Sequence, residues 1–253
     1  MMNESNFTQV ITLPSKGLLN PEIPKGEVTQ RCMMVSDQKF LNGSSHNSGS
    51  LLNQLIQRTT TAPEGFDISN LTPTDTIYML FKLRVLSYGD MYTFRTRCPE
   101  CGKKIDVTVN LAELPVETLE DDFTEKLSVE LPRRGDTVYT KIMTNADKDA
   151  LTAELSRRKR KNPQDESEYI LKIVYAIEKI KLKKDGSELT HPIDIERYVS
   201  SLTDYDAQVI LATKDSVSFG LGAIVECTCS ECKQDIEVGL NFSGDFFRPS
   251  IVR

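Results

Sequence analysis

The sequence predicts an α+β protein made of two related helix-plus-zinc-ribbon units in a pseudo-twofold relation, with an α+β subdomain inserted between them. Two observations carry this. The stretch from Leu71 to Leu111 recurs as Leu202 to Phe242 at a constant offset of 131, without a gap, and 12 of the 41 paired positions are identical. Ordinary residue usage gives about two or three identities by chance over such a window. The second observation is that each copy carries a Cys-x-x-Cys pair, Cys98/Cys101 and Cys229/Cys232, just before an alternating strand. Leu71/Leu202, Thr72/Thr203, Asp75/Asp206, Gly89/Gly220 and Glu100/Glu231 are among the other identities, which points to an internal duplication.

Taken in order, residues 1–70 read as an extended arm with short helices. Asn20-Pro21, Ile23-Pro24 and Lys25-Gly26 punctuate the arm, and Pro24 turns Ile23 away from helix. Val10 to Leu13 and Gly26 to Met34 suit strands. The run from Gly43 to Ser50 is polar and loop-like and holds His46, which is expected to face solvent. Leu51, Leu52, Leu55 and Ile56 then recur at helical spacing, with Ser50 as N-cap. In the first copy (71–111), Thr72-Pro73-Thr74-Asp75 opens a helix that is apolar on most of its girth and stops at Gly89. Met91 to Arg97 is a strand with Tyr92, Phe94 and Thr96 on one face. Ile105, Val107, Val109 and Leu111 form its partner, with the cysteines at the turn.

Residues 112–201 form the insertion. Phe123 to Leu131 reads as a strand, pairing with Val138 to Met143 across Pro132 to Asp136. Helices follow from Asn145 to about Lys161 and from Glu166 to Glu178, the latter with a stripe of Ile170, Ile173, Val174 and Ile177. Ile180 to Leu189 suggests a short hairpin, and His191 before Pro192 a turn. The second copy (202–242) has a less apolar helix from Asp204 to Lys214 and a strand through Ile236, Val238, Leu240 and Phe242. Residues 243–253 are a tail. Its Phe246, Phe247 and Arg248 suit either a docking peptide, since aromatic and Arg anchors dominate interface energetics, or a turn packed on the protein's own core.

Ligand arithmetic singles out Cys98, Cys101, Cys229 and Cys232. Structural zinc takes four sulfur or nitrogen ligands in a tetrahedron, often as C-x(2–4)-C pairs. Neither copy closes a shell alone, so a single zinc ion per chain would join both. Disulfides within or between the pairs, and metal-free buried thiols, are the competing readings. Four thiolates around a divalent ion leave a formal charge of −2, with Arg95, Arg97, Lys103, Lys104 and Lys233 near in sequence to offset it. Cys227 could compete as a ligand but matches Thr96 in the first copy; Cys32 reads as an ordinary small core residue.

The 253 residues can bury one substantial core plus a subdomain. The N-terminus has no basic segment leading into an apolar core, and no apolar run reaches membrane-spanning length, so a reducing cytosol is expected. A net charge of −6 argues against a large phosphate-binding surface. The basic run Arg157-Arg158-Lys159-Arg160-Lys161 reads first as a solvated helix end set against the helix dipole. A docking patch for an acidic partner or nucleic acid is the sharper alternative. No Gly-rich phosphate loop, nucleophile–His pair or paired carboxylates stand out, so an enzyme is not expected and no small-molecule substrate is implied.

The order of features resembles a phage family. An Ile11-to-Leu19 segment (ITLPSKGLL) precedes Pro24-Lys25-Gly26-Glu27-Val28-Thr29, then Leu86-Ser87-Tyr88-Gly89, the knuckle Cys98-Pro99-Glu100-Cys101-Gly102, and a Phe246-Phe247-Arg248-Pro249 tail. This pattern is similar to the T4-like bacteriophage baseplate hub proteins, a group of hub subunits and hub assembly factors. It is strongest over 11–111 and 200–249 and weakest through the insertion. The resemblance implies a late protein acting in host cytoplasm during tail assembly, with a place in the virion baseplate as one outcome and other tail proteins as partners. It assigns no catalytic or binding residue. A zinc-ribbon nucleic-acid or transcription module is the competing function class.

Overall fold

The computed structural model describes residues 7–43, 48–240, 246 and 247. Along the chain run β1 (Thr8–Thr12), β2 (Glu27–Arg31), α1 (Val35–Gly43), α2 (Ser48–Thr59), β3 (Thr60–Thr61), α3 (Pro73–Tyr88), β4 (Met91–Arg97), β5 (Lys104–Asn110) and β6 (Val116–Glu117). Then come α4 (Phe123–Lys126), β7 (Ser128–Glu130), β8 (Thr137–Thr140), α5 (Asn145–Lys161), α6 (Glu168–Ala176), β9 (Ile177–Lys181), β10 (Glu188–Leu189), α7 (Pro192–Val199) and α8 (Asp204–Asp215). β11 (Gly220–Leu221), β12 (Ile224–Thr228) and β13 (Asp235–Gly239) complete the order. The fold is mixed α+β and divides into two compact units. One comprises Met1–Phe66, Thr74–Thr118 and Gly220–Arg253; the other comprises Asp67–Pro73 and Leu119–Phe219.

In the first unit, β1 and β2 pair antiparallel and β3 adds to β2. The loop joining β1 to β2 folds back on itself at its two Lys-Gly steps. Gly17 and Gly26 both have positive φ, and a Cβ on Gly17 would lie 2.3 Å from the Ile23 carbonyl oxygen. Only a residue without a side chain permits that approach. The loop is tied to α3, whose buried Asp75 accepts from the Ser15 amide at 3.1 Å, while Gln30 on β2 donates to the Met79 carbonyl at 3.1 Å. α3 buries Met79, Phe81 and Leu83, and leaves Ile77 exposed. It also buries Arg84, which among the described residues has no carboxylate partner but donates to the Gly89 and Met91 carbonyls and lies over the Tyr88 and Tyr92 rings. Burial lowers its pKa. That arginine fixes the turn from α3 into β4.

In the second unit, β10, β9, β8 and β7 form one sheet in that order. Leu131, Val138, Ile173, Val174, Ile177, Ile180, Ile195, Val199 and Ile210 form its core with α6, α7 and α8. Asp136 organises the polar edge, accepting from the buried Tyr198 hydroxyl at 2.6 Å and from the Lys183 amide at 2.8 Å. The Tyr198 hydroxyl is pushed well above its usual pKa by burial and by that carboxylate. Asn145, at the start of α5, donates to the Ile68 carbonyl, and its amide to that of Leu71, which draws Asp67–Pro73 into this unit.

Several sequence expectations need correction. α1 was not foreseen: its Asp37 is buried, accepts from the Met34 amide and pairs with Arg31 at 2.7 Å and Arg58 at 3.4 Å. Burial raises the Asp37 pKa, but the Arg31 bond and the Met34 amide outweigh it and leave it lowered. α2 starts at Ser48, so Ser50 lies inside the helix instead of capping it. The strand expected over 123–131 splits into α4 and β7, and Ile177 opens β9 instead of extending α6. His191 is the N-cap of α7, its Nδ1 accepting from the Ile193 amide. His46, Asn241 and Phe242 lie outside the described residues.

Two findings bear on partners, and each settles between alternatives that the sequence leaves open. Phe246 and Phe247 are buried, with Phe246 edge-on to Phe81 (5.2 Å) and Tyr92 (5.0 Å), so they pack on the protein's own core and are not free for docking. Three of the five cations in the basic run at the end of α5 are paired with carboxylates. Arg157 and Arg158 both bind Glu154, Arg158 also holds Glu196 through two bonds, and Lys159 pairs with Glu168. The two arginines hold the Glu154 carboxyl down to about 2.

Asp75 and Asp206, matched in the two sequence copies, occupy the same place on α3 and α8. Each is fully buried in the first turn of its helix, where the dipole favours an anion, and each accepts from a distant loop amide, Ser15 or Arg133. Replacing Asp75 by Ala strands the buried Ser15 donor, an expected loss of about 1–3 kcal/mol, and replacing Asp206 strands the half-buried Arg133 amide at a smaller loss. Hydrogen exchange should show the Ser15 amide deprotected in Asp75→Ala and the Arg133 amide in Asp206→Ala, with Asp75→Asn intermediate.

Candidate metal centre

Two antiparallel hairpins of the first unit carry the cysteines. β4 pairs β5 from Met91↔Asn110 to Arg97↔Lys104; β12 pairs β13 from Ile224↔Gly239 to Thr228↔Asp235. The registers coincide under the sequence offset, since Arg97↔Lys104 maps onto Thr228↔Asp235. In both hairpins the inward residues are apolar: Tyr92, Phe94, Ile105, Val107 and Val109 in the first, Ile236 and Val238 in the second. This alternation fixes which face is outward.

The turns match atom for atom. The Cys98 amide donates to the Lys103 carbonyl at 2.9 Å and the Gly102 amide to the Cys98 carbonyl at 2.9 Å. In the second turn the Cys229 amide donates to Gln234 at 2.9 Å and the Lys233 amide to Cys229 at 3.0 Å. Both turns need a left-handed residue at the same point, supplied by Gly102 (φ 70°) and by Lys233 (φ 63°). Gly89 and Gly220, also equivalent, share positive φ where each copy enters its hairpin region.

These turns bring the four sulfurs together. The Sγ atoms of Cys98, Cys101, Cys229 and Cys232 all lie within 4.8 Å of one another. Cys98 Sγ is 3.8 Å from Cys232 Sγ, and Cys101 Sγ is 3.9 Å from Cys229 Sγ. A disulfide needs about 2.05 Å, and all four cysteines are free. Zinc–thiolate bonds of about 2.3 Å place tetrahedral sulfurs about 3.8 Å apart, so the donor set fits a four-coordinate ion. Cys98 and Cys229 are buried while Cys101 is exposed, leaving a solvent side by which an ion can enter.

The surroundings favour thiolate at Cys229 and oppose it at Cys232. The Cys101 amide points at Cys98 Sγ at 3.5 Å. The Cys232 amide, the first cause, and the Glu231 amide push the Cys229 thiol down to about 6. At Cys232 the Gln234 amide also favours the anion, but burial and the three neighbouring sulfurs outweigh it and push that thiol up to about 12. A cation among the sulfurs removes this repulsion. Lys103 reaches across to Glu231 at 3.0 Å, an ion pair joining the two hairpins that sequence reasoning missed. In the sequence Glu231 stands out only as an identity with Glu100. Cys227, on β12 opposite Ile236, is outside the four-sulfur group, and Cys32 is half-buried just after β2.

The likeness ends at the hairpins. α3 lies, from Thr74 on, in the same compact unit as its hairpin, whereas α8 belongs to the second unit, where Ala207 and Ile210 join the core. The expected helix-plus-ribbon grouping is therefore split in the second copy.

The family model described as T4 bacteriophage base plate protein matches residues 11–248. The chain belongs to this family. The match starts at the ITLPSKGLL segment and runs through the insertion, where the sequence resemblance was weakest. As a T4-like baseplate protein it is a component of a phage tail structure and makes contact with other tail proteins. No curated protein and no solved structure matches the chain. No described helix is long and apolar enough to cross a membrane.

The left-handed turn residues give a direct test of the knuckle geometry. Lys233→Gly relieves a strained backbone and should raise stability by about 0.5–1 kcal/mol, while Gly102→Ala introduces the strain and should lower it by about 1–2 kcal/mol. Thermal unfolding of the metal-loaded chains reads both.

Proposed function

We propose that this baseplate protein is a non-enzymatic component or assembly factor of the tail hub, stapled by one structural zinc ion on Cys98, Cys101, Cys229 and Cys232. The observation that carries the reading is the convergence of four free sulfurs from two hairpins far apart in sequence, at separations suited to tetrahedral thiolate coordination. When bound, zinc supplies charge to hold four thiolates; the chain supplies the amides and the Lys103–Glu231 pair that orient them. Four protein ligands leave no open position for substrate or water, which fits a structural and not a catalytic ion.

The shared hairpin register, the matched turns and the paired aspartates support descent of both copies from one duplicated segment. On this reading the pseudo-twofold relation applies to the hairpins about the ion. The nucleic-acid reading is the weaker one: the basic run of α5 is engaged with Glu154, Glu196 and Glu168. Action in host cytoplasm during tail assembly, with other hub proteins as partners, is part of this proposal, and membership of the baseplate family supports it.

Elemental analysis should give one zinc per chain, and a colourless protein distinguishes zinc from an iron centre, which the same four sulfurs would also accept. Cys101→Ser and Cys232→Ser should lower metal content and melting temperature alike, and a chelator should destabilise the wild-type chain, because metal binding at such sites is coupled to folding. Metal lost from one variant only would show that the site is not shared. Tail proteins should accompany the chain in a pull-down from infected cells; recovery of nucleic acid in their place would favour the other function class.

A further inference from the structure

The two hairpins match in backbone but differ in the charge they turn to solvent. On the β4–β5 hairpin the outward positions hold Arg95, Arg97 and Lys104 with one carboxylate, Asp106. On the β12–β13 hairpin the outward positions hold Glu226, Asp235 and Glu237 with no cation. The sequence offset pairs Arg95 with Glu226 and Lys104 with Asp235, so the sign inverts at equivalent sites.

The cross-strand register sharpens the contrast. Arg95 faces Asp106 and the two bond at 2.7 and 3.0 Å. At the equivalent place in the second hairpin Glu226 faces Glu237. In the first hairpin Arg97 faces Lys104. Like charges directly opposite on a ladder are destabilising. None of Arg97, Lys104, Glu226 and Glu237 has an ion-pair partner among the described residues, and all are exposed. Each hairpin thus keeps one unrelieved like-charge pair, positive on one and negative on the other. A shallow cleft lined by Arg95, Thr96, Arg97 and Lys104 marks the positive face. Each outward face also exposes a large apolar side chain, Met91 at 58% and Ile224 at 64%.

From this complementarity we infer that the β4–β5 face of one copy of the chain docks on the β12–β13 face of a second copy. Arg97 and Lys104 of one copy lie against Glu226, Glu237 and Asp235 of the next, with Met91 and Ile224 brought into the contact. The contact is heterologous: each copy offers two different faces, so association grows head to tail into a ring or an open chain instead of stopping at a twofold dimer. Two hairpin faces bury well under about 1,000 Å², which places the contact among weak interfaces. Exposed ion pairs contribute little each and are screened by salt, so association is favoured at low ionic strength and high local concentration. Neither face includes a cysteine, and the inference stands apart from the metal assignment.

The test uses the full chain as isolated. Sedimentation should show average mass rising with concentration at about 20 mM salt and returning to that of the monomer at about 0.5 M, where the screening length is only a few ångströms. Glu226→Lys/Glu237→Lys makes both faces positive, and Arg97→Glu/Lys104→Glu makes the first face negative like the second. Each double variant alone should associate at least about tenfold more weakly than wild type, and mixing the two should restore association. A zero-length carbodiimide cross-link between isotopically labelled and unlabelled wild-type chains should join Lys104 to Glu226, Asp235 or Glu237 in mixed-isotope pairs. This arm needs no variant to fold. A chain that stays monomeric at low salt, association indifferent to the charge swaps, or the absence of mixed-isotope cross-links at these residues would each overturn the inference.

Discussion

Four sulfurs held within 4.8 Å of one another set the terms for the first compact unit. They belong to turns separated by about half the chain, and closing a loop of that length costs roughly 4 kcal/mol of chain entropy. The contacts that bring the turns together must offset this. Across the turn tips the described ion pair is Lys103 with Glu231, and its exposed groups are worth little in water. The proposed ion offers far more, because binding free energy at a structural thiolate site becomes folding free energy. Without a cation, the Gln234 amide is outweighed at Cys232 by burial and the neighbouring sulfurs, which push that thiol up, while the Cys232 and Glu231 amides push the Cys229 thiol down.

Around that clasp, buried charge is used sparingly and always with partners. Asp37 holds two arginines and a helix-entry amide. Asp75 and Asp206 sit at helix starts and reach loop amides, and Arg84 donates from its terminal nitrogens to two carbonyls and lies over aromatic faces. Asp136 receives a tyrosine hydroxyl and an amide. Apart from Arg84, which acts within its own turn, these groups join segments apart in sequence, so the polar contacts fix how loops and helices meet while the apolar stripes supply the bulk of the burial. Surface charge follows a different rule, with Arg157, Arg158 and Lys159 of α5 held by nearby glutamates and the hairpin faces left polarised.

Much of this was legible in the sequence because the two copies could be read against each other. Alternation placed Tyr92, Phe94, Ile105 and Val107 on the inward face, and the cysteine spacing pointed to the four sulfurs that converge. What could not be read were features set by distant partners. α1 has a weak apolar pattern and depends on Asp37 meeting Arg31 and Arg58. Ile177 continues the helical stripe of α6, yet its backbone is claimed by pairing with β8. Phe246 and Phe247 stand beside Gly, Asp and Pro, a context that suggests exposure, but Phe81 and Tyr92 supply an aromatic pocket that only the fold reveals. The facing of Glu226 by Glu237 needs a register, and charge counts alone do not contain it. The assignment of α8 to the second unit had a faint signal, since that helix carries Gln208 and Lys214 where α3 has Ile77 and Leu83.

The first unit is discontinuous, assembled from stretches on either side of Leu119–Phe219. A ribosome delivers the chain from one end, so β1, β2, α3 and the first hairpin emerge well before β12, β13 and the aromatic pair that seals Tyr92. During that interval the second unit, nearly contiguous, has all its strands in hand and can consolidate, as domains tend to fold when they become available. The earlier half waits with Cys98 and Cys101 unmatched. Completion of this protein is thus timed by translation itself: the first unit closes only once β13 and the Phe246–Phe247 pair have cleared the exit tunnel.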